Sequence, residues 1–204
     1  MSDFVLITGG ARSGKSRFAE LLAAHPGLPV TYIATAQVYD EEMALRVKKH
    51  QDQRPAHWGL VEEPLALSSV LERHAQNKGV LLVDCVTLWL TNLLLAHYPA
   101  EDHLTEQEYT QALHRLEQKI LEQVRIVARI ARDITPQVIM VTNEVGDGIV
   151  PDNPLSRIYR DLAGRANQIL GQGAQQVYSV VAGYPTEIKA AGQALLDSLR
   201  REDA

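Results

Sequence analysis

The sequence predicts an α/β protein whose single, mostly parallel β-sheet carries helices on both faces. Three observations predict this fold class: short β-branched apolar segments recur along the chain, segments of helical periodicity lie between them, and a glycine-rich turn joins the first strand to the first helix. The 204 residues are enough to bury one sizeable core, and 46% of them are hydrophobic, as in folded globular proteins. We expect one domain over residues 1–186, with residues 187–204 forming a C-terminal helix or tail.

The predicted strands are short, apolar and bounded by turn or polar residues, which is typical of strands buried in a parallel sheet. In chain order they are Phe4–Thr8, Val30–Ala34, Val80–Val83, Val138–Thr142 and Gln176–Val181. Helical patterns lie between them, at Lys15–Ala24, near Asp40–Asp52, at Leu65–Gln76 and Val86–His97, near Thr105–Arg132 and at Ser156–Leu170. The segment after Gly183 offers a last strand and a polar helix. Strands that alternate with helices form βαβ units, which is why we expect a parallel sheet.

The longest predicted helix has recognisable signals at both ends. It begins with Thr-Glu-Gln-Glu at residues 105–108, which matches a capping box. Pro136 marks its end before the next strand. These residues are therefore interpreted as parts of the scaffold.

Charge and cysteine content exclude several classes of function. The net charge is −5, so no global basic field would draw the protein to nucleic acid or to an anionic membrane. The single cysteine, Cys85, excludes an internal disulfide and a cysteine-rich metal site, which fits a cytoplasmic location. The longest apolar run, Val86–Tyr98, is interrupted by Thr91 and Asn92 and is too short to span a membrane. We expect a protein that is not integral to a membrane.

A P-loop motif lies between the first predicted strand and the first predicted helix. Glycines in such a loop let successive backbone N–H groups face a phosphate, and the helix N-terminus adds partial positive charge. Lys15 would bridge the β- and γ-phosphates, and the Ser16 hydroxyl would be a ligand of Mg²⁺. The alternative is a glycine-rich turn with an incidental Lys-Ser pair. The motif consists of Gly9, Gly10, Ala11, Arg12, Ser13, Gly14, Lys15 and Ser16.

A carboxylate follows another predicted strand. P-loop proteins need an acid at the end of a neighbouring strand to hold the water shell of the metal. Asp84, directly after Val80–Val83, is the candidate, so we expect Ser16 and Asp84 to form the metal site. The alternative is that Asp84 caps the helix beginning near Val86.

A histidine lies between two arginines in the predicted helix near Asp40–Asp52. Residues Arg46, His50 and Arg54 are spaced by four and would share one face if the helix persists. Neighbouring cations disfavour the imidazolium, so His50 would stay neutral and able to attack phosphorus, while the arginines hold phosphate oxygens. The alternative is a solvated basic face with an exposed histidine.

These motifs resemble those of one family, the bifunctional adenosylcobinamide kinase / adenosylcobinamide-phosphate guanylyltransferase of cobalamin biosynthesis. The resemblance runs over nearly the whole chain. The motifs that carry it are Thr8–Ser16, Tyr32–Ala36, Arg46–His50, Arg54–Trp58 and Thr142–Gly146. The P-loop alone would indicate only a superfamily, whereas the region from Glu42 to Trp58 is specific.

The resemblance implies two reactions. In the first, ATP or GTP phosphorylates the aminopropanol hydroxyl of adenosylcobinamide. In the second, GMP from GTP is attached to a histidine, His50 by its place in the motif, and then passes to adenosylcobinamide phosphate. The products are adenosylcobinamide-GDP and pyrophosphate. The resemblance also implies a RecA-like P-loop fold and a homotrimer.

The resemblance assigns further nucleotide contacts besides the phosphate loop. Glu62 could accept hydrogen bonds from guanine or from ribose hydroxyls, the alternative being a surface glutamate beside Glu63. The base of the kinase step stays open, with Asp84 and Glu144 as candidates. The full set implied outside the loop is Ala34, Thr35, Ala36, Gln51, Asp52, Gln53, Arg54, Glu62 and Asp84.

Two other functions remain open at this point. One is a P-loop kinase for another small metabolite, in which His50 merely contacts phosphate. The other is a RecA-like nucleotide switch that signals to a protein partner, which the face formed by Arg46, His50 and Arg54 does not support.

Overall fold

The computed structural model describes residues 3–37, 41, 55–100 and 105–202. The helix predicted near Asp40–Asp52 lies outside these residues except for Glu41. The phosphate loop and every strand given below lie inside these ranges.

The described strands form one sheet. They are β1 (Phe4–Thr8), β2 (Val30–Ala34), β3 (Gly59–Glu62), β4 (Val80–Asp84), β5 (Gln137–Val141), β6 (Gln176–Val181) and β7 (Tyr184–Glu187). Their order is β3-β2-β4-β5-β1-β6-β7. The pairs from β3 to β6 are parallel, whereas β7 runs antiparallel to β6 after a tight turn. The carboxyl ends of the parallel strands therefore meet at one edge of the sheet, where ligands bind in folds of this kind.

Helices cover both faces of the sheet. They are α1 (Lys15–Ala24), α2 (Leu67–Arg73), α3 (Val86–Ala96), α4 (Glu106–Asp133), α5 (Pro154–Gly173) and α6 (Lys189–Glu202). Side chains of β1 alternate between two cores: Phe4 and Leu6 pack with α2 to α5, while Val5 and Ile7 pack with α1. The predicted fold class, a mostly parallel α/β sheet with helices on both faces, is confirmed.

The capping box at the start of α4 is present. The Glu108 N–H donates to Thr105 Oγ1 (3.3 Å), and the Thr105 N–H donates to Glu108 Oε2 (2.9 Å). The Thr105 bonds hold the pKa of the Glu108 carboxyl below its usual range. This reciprocal pair satisfies two N–H groups at the helix start, as the sequence pattern indicated.

Two features of the sheet differ from the sequence-based expectation. The strand β3 was not predicted, because at the sheet edge Gly59, Leu60 and Glu62 are exposed and give no continuous apolar run. The strand that ends in Asp84 was expected beside β1, but β5 lies between β4 and β1. Strand order depends on packing across the whole chain, which a single strand's sequence does not encode. Residues that follow β5 therefore lie between the phosphate loop and Asp84.

No helix among the described residues is long and apolar enough to cross a membrane.

Candidate nucleotide-binding site

The phosphate loop joins β1 to α1 at the carboxyl edge of the sheet. Gly14 precedes the helix with φ of 100°, and no side chain caps the first turn of α1. Helix N-termini leave backbone N–H groups without partners, and such groups bind phosphate. Arg12, with φ of 57°, also takes a left-handed conformation, so the loop folds back before the helix begins.

The turn between β6 and β7 contacts the phosphate loop at Ser13 and Gly14. The Gly183 N–H donates to the Ser13 carbonyl oxygen (2.8 Å). A Cβ atom placed on Gly14 would lie 3.1 Å from Gly183 Cα, and one placed on Gly9 would lie 2.4 Å from the Val180 carbonyl oxygen. Gly9 also has a φ of 149°, so both its space and its backbone require glycine.

Replacing Gly9 with alanine should therefore destabilise the fold. We expect Gly9→Ala to lower the free energy of unfolding by about 2–4 kcal/mol, because β1 or β6 must shift to admit the methyl group. Denaturant unfolding of the nucleotide-free protein measures this change.

A matched control is available one residue further on. A Cβ atom on Gly10 would meet nothing within 4 Å. Gly10→Ala should thus change the free energy of unfolding by less than about 1 kcal/mol. Equal effects of the two substitutions would contradict the close approach at Gly9.

Lys15 lies at the start of α1 and is only 7% exposed. Its Nζ atom donates to the Gly10 carbonyl oxygen within the loop (2.6 Å). Burial lowers the pKa of Lys15, and attraction to the Asp84 carboxylate partly opposes that shift. A buried ammonium group in the loop, within electrostatic reach of Asp84, is well placed to meet a polyphosphate.

Asp84 ends β4 at the same edge of the sheet. The Tyr32 hydroxyl donates to Asp84 Oδ2 (3.0 Å), which orients the carboxylate. Oxygen donors such as a carboxylate and the Ser16 hydroxyl suit Mg²⁺, which takes few protein ligands and keeps several waters. The chemistry of these two side chains therefore fits the metal site that the sequence predicts.

The thiol of Cys85 is not available as a nucleophile. Its side chain is buried, and burial, with a smaller contribution from Asp84, raises the pKa of the thiol to about 12. The neutral thiol neither attacks phosphorus nor binds metal at physiological pH. Cys85 contributes to positioning through its backbone, which exchanges hydrogen bonds with Thr35 Oγ1 at 2.7 and 3.0 Å.

The ends of β2, β3 and β4 bring together several residues implied by the resemblance. Ala34 pairs in register with Asp84 on one side and with Glu62 on the other. The buried Asn92 side chain donates to the carbonyl oxygens of Thr35 (2.7 Å) and Pro64 (3.0 Å), which ties β2 to the segment after β3. Ala34, Thr35, Glu62 and Asp84 therefore share one edge.

Glu62 and Glu63 have different surroundings. The Glu63 carboxylate accepts from the N–H groups of Leu65 (3.0 Å) and Ala66 (2.9 Å), so it orders the chain that enters α2. Glu62 is exposed at the end of β3. The scaffold role thus belongs to Glu63, and the exposed Glu62 carboxylate can reach a ligand.

A polar network at the end of β5 joins Asn143 and Glu144, which the sequence motif Thr142–Gly146 contains, to Thr87 and Tyr159, which were not predicted as site residues. The backbone N–H of Asn143 and its Nδ2 atom both donate to Thr87 Oγ1 (2.9 and 3.0 Å), and the Tyr159 hydroxyl donates to the Thr87 carbonyl oxygen (2.9 Å). Burial raises the pKa of Tyr159 to about 12. The network also includes Glu144, whose backbone N–H donates to the Gly9 carbonyl oxygen (3.0 Å). A short Thr-Asn-Glu run after an apolar strand was the available signal.

The remaining predicted site residues lie outside the described part of the chain. They are His50 with its neighbour Arg46, and Gln51, Asp52, Gln53 and Arg54. Their roles therefore remain predictions from the sequence.

A cavity of about 450 Å³ lies elsewhere, between α3 and α4. Leu93, His97 and Arg115 are among the residues that line it. His97 follows the last turn of α3, whereas Asp84 precedes the first turn. A helix of 11 residues is about 16 Å long, so the length of α3 separates the cavity from Asp84. The cavity is therefore not part of the phosphate site.

A glycine-rich loop between an interior parallel strand and a helix, with a buried lysine and an acid at the same sheet edge, defines a P-loop nucleotide-binding protein. The model of the family described as cobinamide kinase / cobinamide phosphate guanyltransferase matches residues 5–188. The chain belongs to this family.

Two proteins of similar sequence carry names that agree with this family. The bifunctional adenosylcobalamin biosynthesis protein CobP of Pseudomonas aeruginosa is 46% identical over 184 residues, which cover 90% of this chain and 96% of the relative. The protein CobU of Salmonella typhimurium, named in the same terms, is 41% identical over 185 residues, or 91% of this chain and 99% of the relative. A solved structure of the RadB recombinase covers 87% of this chain and 73% of its own, at 18% identity and a TM-score of 0.37. At that TM-score the likeness says nothing about function.

Proposed function

We propose that this enzyme catalyses two successive reactions on a corrinoid. It first phosphorylates the aminopropanol hydroxyl of adenosylcobinamide with ATP or GTP, and then transfers GMP from GTP through a guanylyl-histidine to adenosylcobinamide phosphate. The products of the second reaction are adenosylcobinamide-GDP and pyrophosphate. Family membership supports the pair of activities. The observation that carries the proposal is the phosphate loop with Lys15 and Asp84 at one sheet edge.

In the kinase step the loop holds the donor. Backbone N–H groups of the loop would face the phosphates, and Lys15 would leave the Gly10 carbonyl oxygen to contact the β- and γ-phosphates. Ser16 and Asp84 would hold Mg²⁺, which neutralises charge on the phosphates when it is bound. Positioning and charge stabilisation supply most of the catalysis in such transfers.

In the guanylyl step His50 is the nucleophile. Its imidazole, kept neutral by Arg46 and Arg54, attacks the α-phosphorus of GTP in line with the leaving pyrophosphate. A phosphate oxygen of adenosylcobinamide phosphate then displaces the imidazole and takes the GMP group. Lys15 and the arginines stabilise the charge of the departing pyrophosphate.

The guanine nucleotide would lie along the ends of β2 and β3. We propose Ala34, Thr35 and Ala36 as contacts, with Glu62 accepting hydrogen bonds from the guanine N1 and N2 groups or from the ribose. The exposure of Glu62 and its register beside Ala34 support this assignment. The run Gln51–Arg54 completes the proposed set.

Labelled nucleotides test the two reactions separately. With γ-³²P-GTP or γ-³²P-ATP and adenosylcobinamide, label should move to the corrinoid. With α-³²P-GTP, acid-labile label should appear on the protein and leave it when adenosylcobinamide phosphate is added. Transfer of γ-label without any α-label on the protein would mean that the protein is a kinase without guanylyltransferase activity. The absence of both transfers would overturn the proposal.

We also propose that the chain assembles as a homotrimer in the cytoplasm and acts on small molecules without a nucleic-acid partner. Leu195, Leu196 and Leu199 of α6 are 61%, 50% and 51% exposed, and an apolar helix face of this kind favours a protein contact. A monomeric mass in solution, that of the 22.6 kDa chain, would contradict the trimer.

A further inference from the structure

Glu144 occupies a position between the phosphate loop and Asp84. It follows β5, and β5 separates β1 from β4. The Thr142 N–H donates to the Ile7 carbonyl oxygen (2.9 Å), and the Glu144 N–H donates to the Gly9 carbonyl oxygen (3.0 Å). The backbone of Glu144 is thus fixed to the first residue of the phosphate loop, on the side that faces Asp84.

Two neutral donors hold the Glu144 carboxylate. Thr8 Oγ1 donates to Oε2 (3.2 Å), and Asn167 Nδ2 donates to Oε1 (3.3 Å). The Asn167 amide is itself oriented, because its Oδ1 accepts from Thr142 Oγ1 (2.8 Å) and its Nδ2 also donates to the Asn143 carbonyl oxygen (3.1 Å). Asn167 of α5, oriented by Thr142, therefore directs an amide N–H at this carboxylate.

The Glu144 carboxylate keeps the capacity to accept another proton donor. A carboxylate offers about four acceptor positions, and the two bonds above use one on each oxygen. Within the described ranges no lysine or arginine forms an ion pair with it. The side chain is half-buried rather than enclosed, so a substrate hydroxyl can reach it.

The chemistry of the nucleophiles separates the two proposed reactions. The acceptor in the kinase step is an alcohol, which carries a proton that must leave as the new O–P bond forms. The nucleophiles of the guanylyl step are the unprotonated nitrogen of a neutral imidazole and an anionic phosphate oxygen, and neither attacking atom carries a proton that must leave. Only the kinase step therefore needs a base.

We propose that Glu144 is the catalytic base of the kinase step and takes no part in guanylyl transfer; this inference rests on the proposed function. The acceptor hydroxyl gives its proton to a Glu144 carboxylate oxygen while its own oxygen bonds to the γ-phosphorus. The bond between the γ-phosphorus and the oxygen that bridges the β- and γ-phosphates breaks, and the nucleoside diphosphate leaves with the electron pair of that bond. Asp84, oriented by Tyr32, is left to the metal.

The Glu144→Gln variant tests this role. General-base catalysis contributes about 10²–10⁴-fold, so kinase kcat should fall by at least about 100-fold, with KM for the nucleotide little changed. Attachment of α-label from GTP to the protein, and its transfer to supplied adenosylcobinamide phosphate, should stay within about threefold of the wild-type rates.

Glu63→Gln is the matched control, because that carboxylate also lies at the carboxyl edge but binds only backbone N–H groups in the described structure. Its kinase rate should stay within about twofold of wild type, since the lost bonds serve the scaffold. If Glu144→Gln does not fold, Glu144→Asp keeps the charge and withdraws the carboxylate by one methylene, and the same selective kinase loss is expected.

Two results would overturn the role of Glu144. Kinase activity within a few-fold of wild type would show that no proton passes to this residue, and a parallel loss of both reactions would show a structural role instead. Failure of the wild-type protein to perform the labelled transfers would overturn the proposed function itself. The wild-type and variant measurements therefore separate the two failures.

Discussion

The His50→Ala variant is expected to lose GMP transfer completely and to keep its kinase activity. Without the imidazole no covalent guanylyl-enzyme can form, so acid-labile label from α-³²P-GTP should be absent from the protein. Phosphorylation of adenosylcobinamide should remain within about fivefold of wild type, because that step uses an alcohol nucleophile and the phosphate loop. Parallel assays with α- and γ-labelled GTP measure both rates.

His57 provides the control for this substitution. It is an exposed histidine in the neighbouring family motif, Arg54–Trp58, only a few residues further along the chain. His57→Ala should form the labelled intermediate at the wild-type rate. Label retained by His50→Ala, or lost from His57→Ala alone, would remove His50 from the mechanism.

Replacing Lys15 with methionine should impair both reactions together. The buried ammonium group is the cation of the phosphate loop, and both steps use that loop to hold the triphosphate. Loss of one such charge contact commonly costs about 10²–10³-fold, so kcat/KM should fall at least this far for kinase and for guanylyl transfer. Steady-state kinetics of each step with saturating corrinoid measure the change.

The stability of the Lys15→Met variant should not follow its activity. Burial lowers the pKa of Lys15, so the folded state disfavours the charged form relative to the unfolded chain. Methionine has a similar length and no charge, and the nucleotide-free variant should unfold at a denaturant concentration no lower than wild type.

Lys78→Met, at an exposed position, should leave both activities unchanged. Unequal losses of the two activities in Lys15→Met would mean that they do not share one phosphate site.

The regular part of the fold is predictable because each element carries its own signal. Phe4–Thr8 and Val30–Ala34 are apolar runs bounded by turn residues, and both strands appear with the expected ends. The start of α1 at Lys15 follows from the glycines of the loop. The strand β3 carries no such signal, since Gly59–Glu62 pairs on one side only and is mostly exposed.

The site was predictable where chemistry is local in sequence and not where it depends on distant partners. The phosphate loop is one contiguous motif, and Asp84 follows directly from its strand. The bond between Thr8 and Glu144 joins residues 136 positions apart, so the strand order had to be known first. Asn92 gave a partial signal, because an amide in an otherwise apolar helix must find partners, and it bonds to Thr35 and Pro64.

The position of β1 in the sheet has a consequence for how the protein matures on the ribosome. Both neighbours of β1, the strands β5 and β6, come from the last third of the chain, although β1 itself is synthesised first. A nascent chain therefore carries its phosphate loop throughout the synthesis of β2, β3 and β4 without the strands that flank it. Pairing over such sequence separations is slow, and exposed strands attract chaperones or other chains. The Gly183 bond to Ser13 forms only after the chain has emerged as far as β7, so nucleotide should stabilise a chain that includes β6 and β7 but not one that stops before β6.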